Sequence, residues 1–231
     1  DAAKLATAAP PGAIDLEMQP REEVLDLFSR VALLGARPAA FRVRRILGAG
    51  LGKDARVLDV GTGPGAVPLA LARACPGASL VGVDISPGML ERARRSAGRS
   101  GTRLLLAAGD GERLPVRDHA AEVVLCLFTL HHVEDPGALL RELDRVLRPG
   151  GSLLLIDFRR DMPRMLFRLM DAAWQGVFLA TAGRHGLRDS VRSARRPDEV
   201  EALLREHRLK RFRVTCNPVE LFVTTTRERG T

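Results

Sequence analysis

The chain lacks the features that would organise it around cross-links, a metal or a membrane. Its 231 residues include only three cysteines, which lie far apart and form no CxxC pair: Cys75, Cys126 and Cys216. A disulfide framework and a zinc site are therefore excluded as organising principles, and no metal is expected. The longest apolar stretch, Val123–Leu130, is much shorter than the roughly 18 residues that span a bilayer. Residues 1–13 show no secretion-signal pattern, so we expect a reducing, cytoplasmic protein.

Lysine and tyrosine are also scarce, and the charge is unevenly distributed. The chain has no tyrosine, and its net charge is +8. Residues 158–231 carry 16 basic and 9 acidic residues, whereas the two kinds balance in residues 51–157. A solvated arginine-rich face accounts for this excess, and a site for an anionic partner is the alternative. Because no basic run is interleaved with aromatic residues for base stacking, nucleic acid is not expected as a partner.

Predicted strands and helices alternate through the middle of the chain, which is typical of a parallel sheet covered on both faces. Strands are predicted at 56–60, 79–84, 103–108, 122–128 and 152–158, and helices at 66–74, 87–97 and 137–147. Two helices at 21–34 and 39–47 precede this core, and a helix at 197–207 and a hairpin at 211–226 follow it. We expect an α/β fold: a doubly wound, mostly parallel seven-stranded sheet whose antiparallel edge is the C-terminal hairpin. Residues 1–50 would be a tail and helices that pack on the domain 51–231.

A glycine-rich segment, Asp59-Val-Gly61-Thr-Gly63-Pro-Gly65, directly follows the first predicted strand and opens a helix. Glycines there let the backbone turn tightly and approach a ligand without a Cβ in the way. Asp84 ends the second strand, where a carboxylate can accept hydrogen bonds from both hydroxyls of a ribose. The pattern indicates a nucleoside-binding βαβ unit. Because the same segment also satisfies the dinucleotide fingerprint, an NAD(P)-binding oxidoreductase remains an alternative.

Three further features distinguish between these alternatives. Asp59 places a negative charge in the cleft, which suits a cationic ligand better than a pyrophosphate. Asp110, at the end of the third strand, can offer a carboxylate to an adenine amino group. Two more motifs surround the fourth and fifth strands: Leu130-His-His-Val-Glu-Asp135 and Leu147-Arg-Pro-Gly-Gly151. Together the motifs resemble the class I S-adenosylmethionine-dependent methyltransferases, in particular the small-molecule branch similar to ubiquinone/menaquinone biosynthesis methyltransferases.

The resemblance implies S-adenosylmethionine as the cofactor and a set of residues that bind it. The expected cofactor-binding residues lie at the carboxyl ends of the first four strands: Asp59, Gly61, Gly63, Gly65, Asp84, Ile85, Asp110, Gly111 and Phe128. Within this set, Asp59 and the first glycines would line the methionine end, Asp84 would hold the ribose and Ile85 would pack on the adenine. Asp110 and Gly111 would meet the adenine edge, and Phe128 would line the amino-acid end through its backbone.

The resemblance also implies the reaction, the transfer of a methyl group to a small, apolar or aromatic acceptor. The methyl group on a sulfonium is already activated, so a general base is needed only where the acceptor must lose a proton. His131 and His132 are the candidates for that base, although a histidine pair after a strand also serves to line a loop. Asp59 and Asp84 have the alternative role of capping the helices that follow them. A cofactor-binding protein that associates with RNA remains the second alternative function.

A mostly apolar segment, residues 165–182, is predicted to form a helix between the fifth strand and the last helix. Its polar residues Arg168, Asp171 and Gln175 fall on one narrow stripe, which leaves more apolar surface than packing on a sheet would use. Residues 159–190 are therefore expected to be a helical insertion that roofs the pocket of an apolar acceptor. A homodimer interface and an ordinary buried helix are the alternatives.

Overall fold

The structure, a computed structural model, describes residues 22–48, 51–52, 54–177 and 186–226. Its elements follow one another in the order α1 (Glu22–Leu47), β1 (Arg56–Val60), α2 (Ala66–Ala74), β2 (Ser79–Asp84), α3 (Pro87–Ser100), β3 (Leu104–Ala108), β4 (Ala121–Leu127), a 3₁₀ turn (Leu130–His132), α4 (Pro136–Val146), β5 (Leu147–Phe158), α5 (Arg164–Val177), α6 (Gly186–Ser193), α7 (Pro197–Glu206), β6 (Phe212–Cys216) and β7 (Glu220–Thr225).

The strands form one seven-stranded sheet in the order β3-β2-β1-β4-β5-β7-β6. The first five strands pair in parallel, and β7 pairs antiparallel with both β5 and β6. The predicted doubly wound fold with a C-terminal antiparallel hairpin is therefore confirmed. The strand order reverses between β1 and β4, so a crevice opens at the carboxyl ends of these two strands, where α/β proteins bind their ligands.

Helices cover both faces of the sheet. Because successive strand residues point to opposite faces, neighbouring residues belong to different apolar clusters. Leu58 of β1 belongs to the cluster that includes Leu139 and Leu143 of α4 and Val200 of α7. Its neighbour Val57 belongs to the cluster on the other face, with Leu71 of α2 and residues of α1. This two-sided burial explains why the central strands contain almost no polar residues.

The first helix corrects one expectation. We predicted two helices, 21–34 and 39–47, but α1 is one continuous helix with Pro38 inside it. (Arg21 lies outside the described residues.) A proline inside a helix removes one backbone hydrogen bond and crowds the preceding turn, which disfavours a helix but does not forbid it when tertiary packing supplies more.

Packing on both sides of the C-terminal half of α1 supplies that stabilisation. One side of this half is buried against α2 and the sheet through Ala40, Val43 and Leu47. Arg42 donates two hydrogen bonds to the Glu220 carboxylate, at 3.0 Å and 2.5 Å, and its guanidinium lies over the Phe222 ring. Bidentate arginine–carboxylate contacts are among the stronger charged hydrogen bonds, so α1 is anchored to β7 as well as to the core.

Two helices follow β5 where the sequence indicated one. The helix predicted over 165–182 corresponds to α5, which begins one residue earlier, and residues 178–182 lie outside the described residues. The second helix, α6, was not predicted. The helices share a small apolar cluster that also includes residues at the end of β5 and in the β6–β7 turn: Phe158, Met162, Phe167, Met170, Trp174, Leu187, Val191 and Val219.

The polar residues of α5 do not form one solvent-facing stripe. Asp171 is buried, and its carboxylate accepts hydrogen bonds from Arg188 of α6 at 2.8 Å and from Gln175 at 2.7 Å. The predicted stripe therefore divides, because Asp171 has its counter-ion on α6 whereas Arg168 points to solvent. In the part of the chain that the structure describes, no helix is both long and apolar enough to cross a bilayer.

Candidate active site

The glycine loop after β1 takes backbone angles that favour glycine. Gly61, Gly63 and Gly65 have φ angles of 71°, 54° and 75°. A Cβ on Gly61 would lie 2.1 Å from the Thr129 hydroxyl, so the loops after β1 and β4 approach each other closely there. A Cβ on Gly63 would meet nothing within 4 Å. The loop thus leaves free space beside Gly63, at the edge where the crevice opens.

Asp59 is a buried carboxyl group inside this crevice. It is 3% exposed and accepts a 2.8 Å hydrogen bond from the Thr62 hydroxyl. Burial raises the pKa of Asp59 to about 7; the Thr62 hydrogen bond opposes this rise and the nearby Asp84 carboxylate adds to it. Asp59 does not cap α2, whose N-cap is Gly65. The arrangement favours a cationic ligand, because a positive charge would compensate the ionised carboxylate.

Asp84 lies at the end of the neighbouring strand and connects two loops. One oxygen, Oδ2, accepts the backbone N–H of Gly63 at 2.7 Å, and the other, Oδ1, accepts that of Ser86 at 2.9 Å. Burial raises the pKa of Asp84, and these two hydrogen bonds oppose the rise. The N-cap of α3 is Ser86, so Asp84 is not needed as the cap. Each carboxylate oxygen keeps a further lone pair with which it can accept a ribose hydroxyl.

The side of the crevice where the adenine is expected is open to solvent. Its two loops are joined by Glu112, a residue that the sequence analysis did not single out. Ile85 is 48% exposed, and Asp110 is also exposed. Glu112 accepts the backbone N–H groups of Glu134 at 2.7 Å and Asp135 at 3.0 Å. It therefore ties the loop after β3 to the loop after β4. No local pattern identifies such a contact, because its partners are 22 and 23 positions away.

Phe128 follows β4 in a backbone conformation that bulky residues avoid. Its φ angle is 54°, and its N–H donates to the Ile156 carbonyl oxygen at 2.7 Å. The side chain is 40% exposed, and its ring centroid lies 4.9 Å from that of Phe158. Such conformations are costly for a non-glycine residue and cluster at functional sites. Phe128 and Phe158 thus form an aromatic surface at the carboxyl edge of the sheet.

The structure separates the two candidate histidines. His131 is buried, and its Nδ1 lies 2.7 Å from Oδ1 of Asp157, whose Oδ2 accepts the His131 backbone N–H at 3.0 Å. With Nδ1 donating to this carboxylate, Nε2 is the ring nitrogen that can accept a proton. Nε2 has no hydrogen-bond partner within the described residues. Asp157, at the end of β5, was not among the residues singled out from the sequence.

His132 has a different environment from its neighbour. Its side chain touches solvent, yet desolvation, together with repulsion from His131, lowers its pKa to about 4. The two rings are 4.0 Å apart. Unlike His131, His132 forms no hydrogen bond or ion pair with a carboxylate among the described residues. Between the two, only His131 has the geometry of a positioned base.

Another potentially reactive group near the site is structural. Cys126 lies inside β4 and is fully buried, and burial raises the pKa of its thiol well above the ordinary range. A buried thiol in an apolar strand remains protonated and inert. The chemistry available at this edge therefore comes from carboxylates, backbone groups, aromatic rings and His131.

Comparisons with known proteins agree with this geometry. A family model described as "Methyltransferase domain" matches residues 58–155, the part of the chain that carries all nine expected cofactor residues. A ubiquinone/menaquinone biosynthesis C-methyltransferase from Syntrophotalea carbinolica is 33% identical over 181 residues, 77% of this chain and 73% of that protein. A demethylmenaquinone methyltransferase from Thermus thermophilus is 38% identical over 143 residues, 62% of this chain and 63% of that protein.

The fold itself has a close counterpart among solved structures. A SAM-dependent methyltransferase from Aquifex aeolicus superposes with a TM-score of 0.65 at 18% identity, over 90% of this chain and 98% of that one. None of these matches supports an NAD(P)-binding oxidoreductase or an RNA-associated protein, the two alternatives that the sequence left open.

Proposed function

The chain belongs to the class I S-adenosylmethionine-dependent methyltransferases, which transfer a methyl group from that cofactor, and on this basis we propose that its acceptor is a small apolar molecule with an aromatic ring. The observation that carries the proposal is the aromatic surface of Phe128 and Phe158 beside His131. The ring centroids of His131 and Phe158 are 5.9 Å apart, so a base and a stacking surface occur together.

We propose that the cofactor is bound by the residues expected from the sequence. The buried Asp59 carboxyl suits a ligand that carries positive charge. The free space beside Gly63 lets this ligand lie close to the backbone of the glycine loop. Asp84 is oriented by Gly63 and Ser86, and the exposed Ile85 offers an apolar surface for the adenine ring. These residues fit S-adenosylmethionine, which combines a sulfonium, an ammonium, a ribose and an adenine.

The protein's part in the reaction is positioning and proton removal. The bound cofactor supplies a methyl group that is already activated by its positive sulfur. Phe128 and Phe158 would stack on the acceptor and hold its nucleophilic atom in line, since alignment in a dry pocket contributes much of the catalysis in such transfers. Stacked or edge-to-face aromatic pairs contribute about 0.5–1.5 kcal/mol beyond the area that they bury.

His131 is proposed as the catalytic base and Asp157 as the residue that positions it. Asp157 holds the Nδ1–H of His131, so Nε2 can accept a proton from an acceptor hydroxyl or from an activated ring carbon. His132 is not proposed for this role, because its lowered pKa makes it a weak base.

An acceptor screen tests the proposal. Release of S-adenosylhomocysteine is measured with hydroxylated quinol-type aromatic compounds that bear apolar substituents, and with small aliphatic alcohols, amines and carboxylates. The expected result is turnover with the aromatic compounds only. Turnover confined to aliphatic acceptors would contradict the proposal.

A pair of variants extends this screen. Phe158→Leu should raise the KM for the aromatic acceptor and leave cofactor affinity unchanged. Phe167→Leu is the matched control, because Phe167 packs in the same apolar cluster but lies on α5, away from Phe128. An equal effect of the two substitutions would show that Phe158 only supports the core.

A further inference from the structure

The outward face of α5 is the most exposed apolar surface among the described residues. Met165 is 85% exposed and Leu169, one turn later, is 68% exposed. Small residues continue the same face toward the end of the helix: Ala172, Ala173 and Gly176. Single exposed apolar residues are ordinary, but a continuous stripe of them on one helix marks an interaction surface.

The charges on this face are all of one sign. Arg164 and Arg168 lie beside Met165 and Leu169, are exposed, and form no ion pair with any described residue. The acidic residue of α5, Asp171, lies on the same flank of the helix as the two arginines, but it is buried and pairs with Arg188 of α6. The face therefore combines apolar side chains with two arginines that no described carboxylate pairs with.

The inner side of α5 fixes this face in place. Phe167, Met170 and Trp174 pack in the apolar cluster with Leu187 and Val191 of α6. The same cluster includes Phe158 of the proposed acceptor site. The outward stripe is consequently the outer surface of a helix pair whose inner surface adjoins the site.

We propose that the outward face of α5 docks on an anionic lipid surface. A helix whose exposed face carries apolar and basic residues lies in the plane of a membrane interface, with its apolar side chains among the acyl chains and its basic groups at the anionic head groups. Contact with a second copy of the chain is less suitable, because a symmetric contact through α5 would bring Arg164 and Arg168 near their counterparts with no carboxylate on the face to pair with them.

Vesicle sedimentation of the whole protein tests this proposal without cofactor or acceptor, so its result is independent of the proposed methyl transfer. Vesicles of phosphatidylcholine with phosphatidylglycerol are compared with vesicles of phosphatidylcholine alone. The protein should bind the anionic vesicles, and high salt should weaken the binding. Met165→Gln/Leu169→Gln should reduce binding at least about tenfold. Arg164→Gln/Arg168→Gln should reduce it roughly fivefold per arginine.

The matched control substitutes two exposed apolar residues of another helix. Phe41→Gln/Ile46→Gln on α1 removes side chains that are 67% and 37% exposed and should leave vesicle binding unchanged. Unchanged cofactor affinity, measured by calorimetry, shows that each variant is folded. The proposal is overturned by equal binding to both kinds of vesicle, by undiminished binding of the α5 variants, or by loss of binding in the α1 control. It is also overturned if the wild-type protein is a dimer that the Met165→Gln/Leu169→Gln variant converts to a monomer.

Discussion

Asp84 accepts the backbone N–H of Gly63 at 2.7 Å, and this contact joins the loop after β1 to the end of β2. The proposed ribose-binding carboxylate therefore also holds the glycine loop in place. Because its second oxygen accepts the Ser86 N–H, the carboxylate cannot rotate freely. A group preorganised in this way loses little entropy when a ligand arrives.

Replacing Asp84 should weaken cofactor binding by at least about tenfold, because hydrogen bonds to a charged group contribute about 1.5–3 kcal/mol each and 1.4 kcal/mol is one decade. Asp84→Asn keeps one acceptor oxygen and should lose less affinity than Asp84→Ala. Calorimetric titration with S-adenosylmethionine measures both variants, and thermal melting shows whether they remain folded. Unchanged affinity in Asp84→Ala would place the ribose elsewhere.

Substitution of Gly63 can separate the effect of backbone strain on stability from the effect of a side chain on cofactor binding. Gly63 and Gly101 have φ angles of 54° and 64°, and a Cβ would meet nothing within 4 Å at either position. Alanine should therefore strain both positions similarly and lower the free energy of unfolding by a similar amount, about 1–2 kcal/mol. Only Gly63→Ala should lose affinity for S-adenosylmethionine, because Gly101 ends α3. If both variants bind the cofactor normally, the loop is only a turn.

Asp59 should make stability and cofactor binding depend on pH in opposite directions. Its pKa is about 7 in the folded protein against 3.8 ordinarily, so between these values the folded protein keeps a proton that the unfolded chain has released. The free energy of unfolding of the cofactor-free protein should then fall as pH rises through this window, by up to about 1.4 kcal/mol per unit. Affinity for the cationic cofactor should rise over the same range, because the carboxylate ionises.

Asp59→Asn should remove both of these slopes. Thermal melting between pH 5 and 8 without cofactor, and calorimetric titration over the same range, provide the measurements. A variant that keeps the wild-type slopes would assign the pH dependence to another group.

His131→Asn should reduce kcat by about 10²–10⁴-fold for an acceptor that must lose a proton, because it removes the base. Cofactor affinity should remain the same. His132→Asn is the control and should change kcat little. Asp157→Asn should lower kcat with the KM for the acceptor nearly unchanged, as expected of a positioning residue. Equal losses in the two histidine variants would contradict the assignment.

Much of the fold could be predicted because its boundaries are marked locally. The bounds of α2 and β2 follow from the glycine loop, from Pro76-Gly77 and from the change from an apolar strand to a polar turn. The helices predicted at 21–34 and 39–47 form one helix, because the local effect of Pro38 is smaller than that of the packing around it. The additional helix α6 is stabilised by Arg188 and the apolar cluster, which a local pattern does not reveal.

The conformation of the glycine loop could be predicted because one contiguous segment, Asp59 to Gly65, carries its pattern; that the loop binds the cofactor stays a prediction. The pairing of His131 with Asp157 depends on the parallel register of β4 and β5, which brings together residues 26 positions apart. The positive φ of Phe128 has no sequence signal, since phenylalanine disfavours that conformation.

The position of β7 between β5 and β6 has a consequence for how the protein is made. Leu154, Leu155 and Ile156 of β5 pair with residues that come almost seventy positions later, at 222–224. Until that last stretch emerges during synthesis, β5 has an unpaired apolar edge that can pair with other nascent chains. A chain shortened before Glu220 would keep the whole glycine loop yet expose this edge permanently. We therefore expect such truncated chains to aggregate, and the cell's chaperones to be needed most between the synthesis of β5 and the pairing of β7 with it.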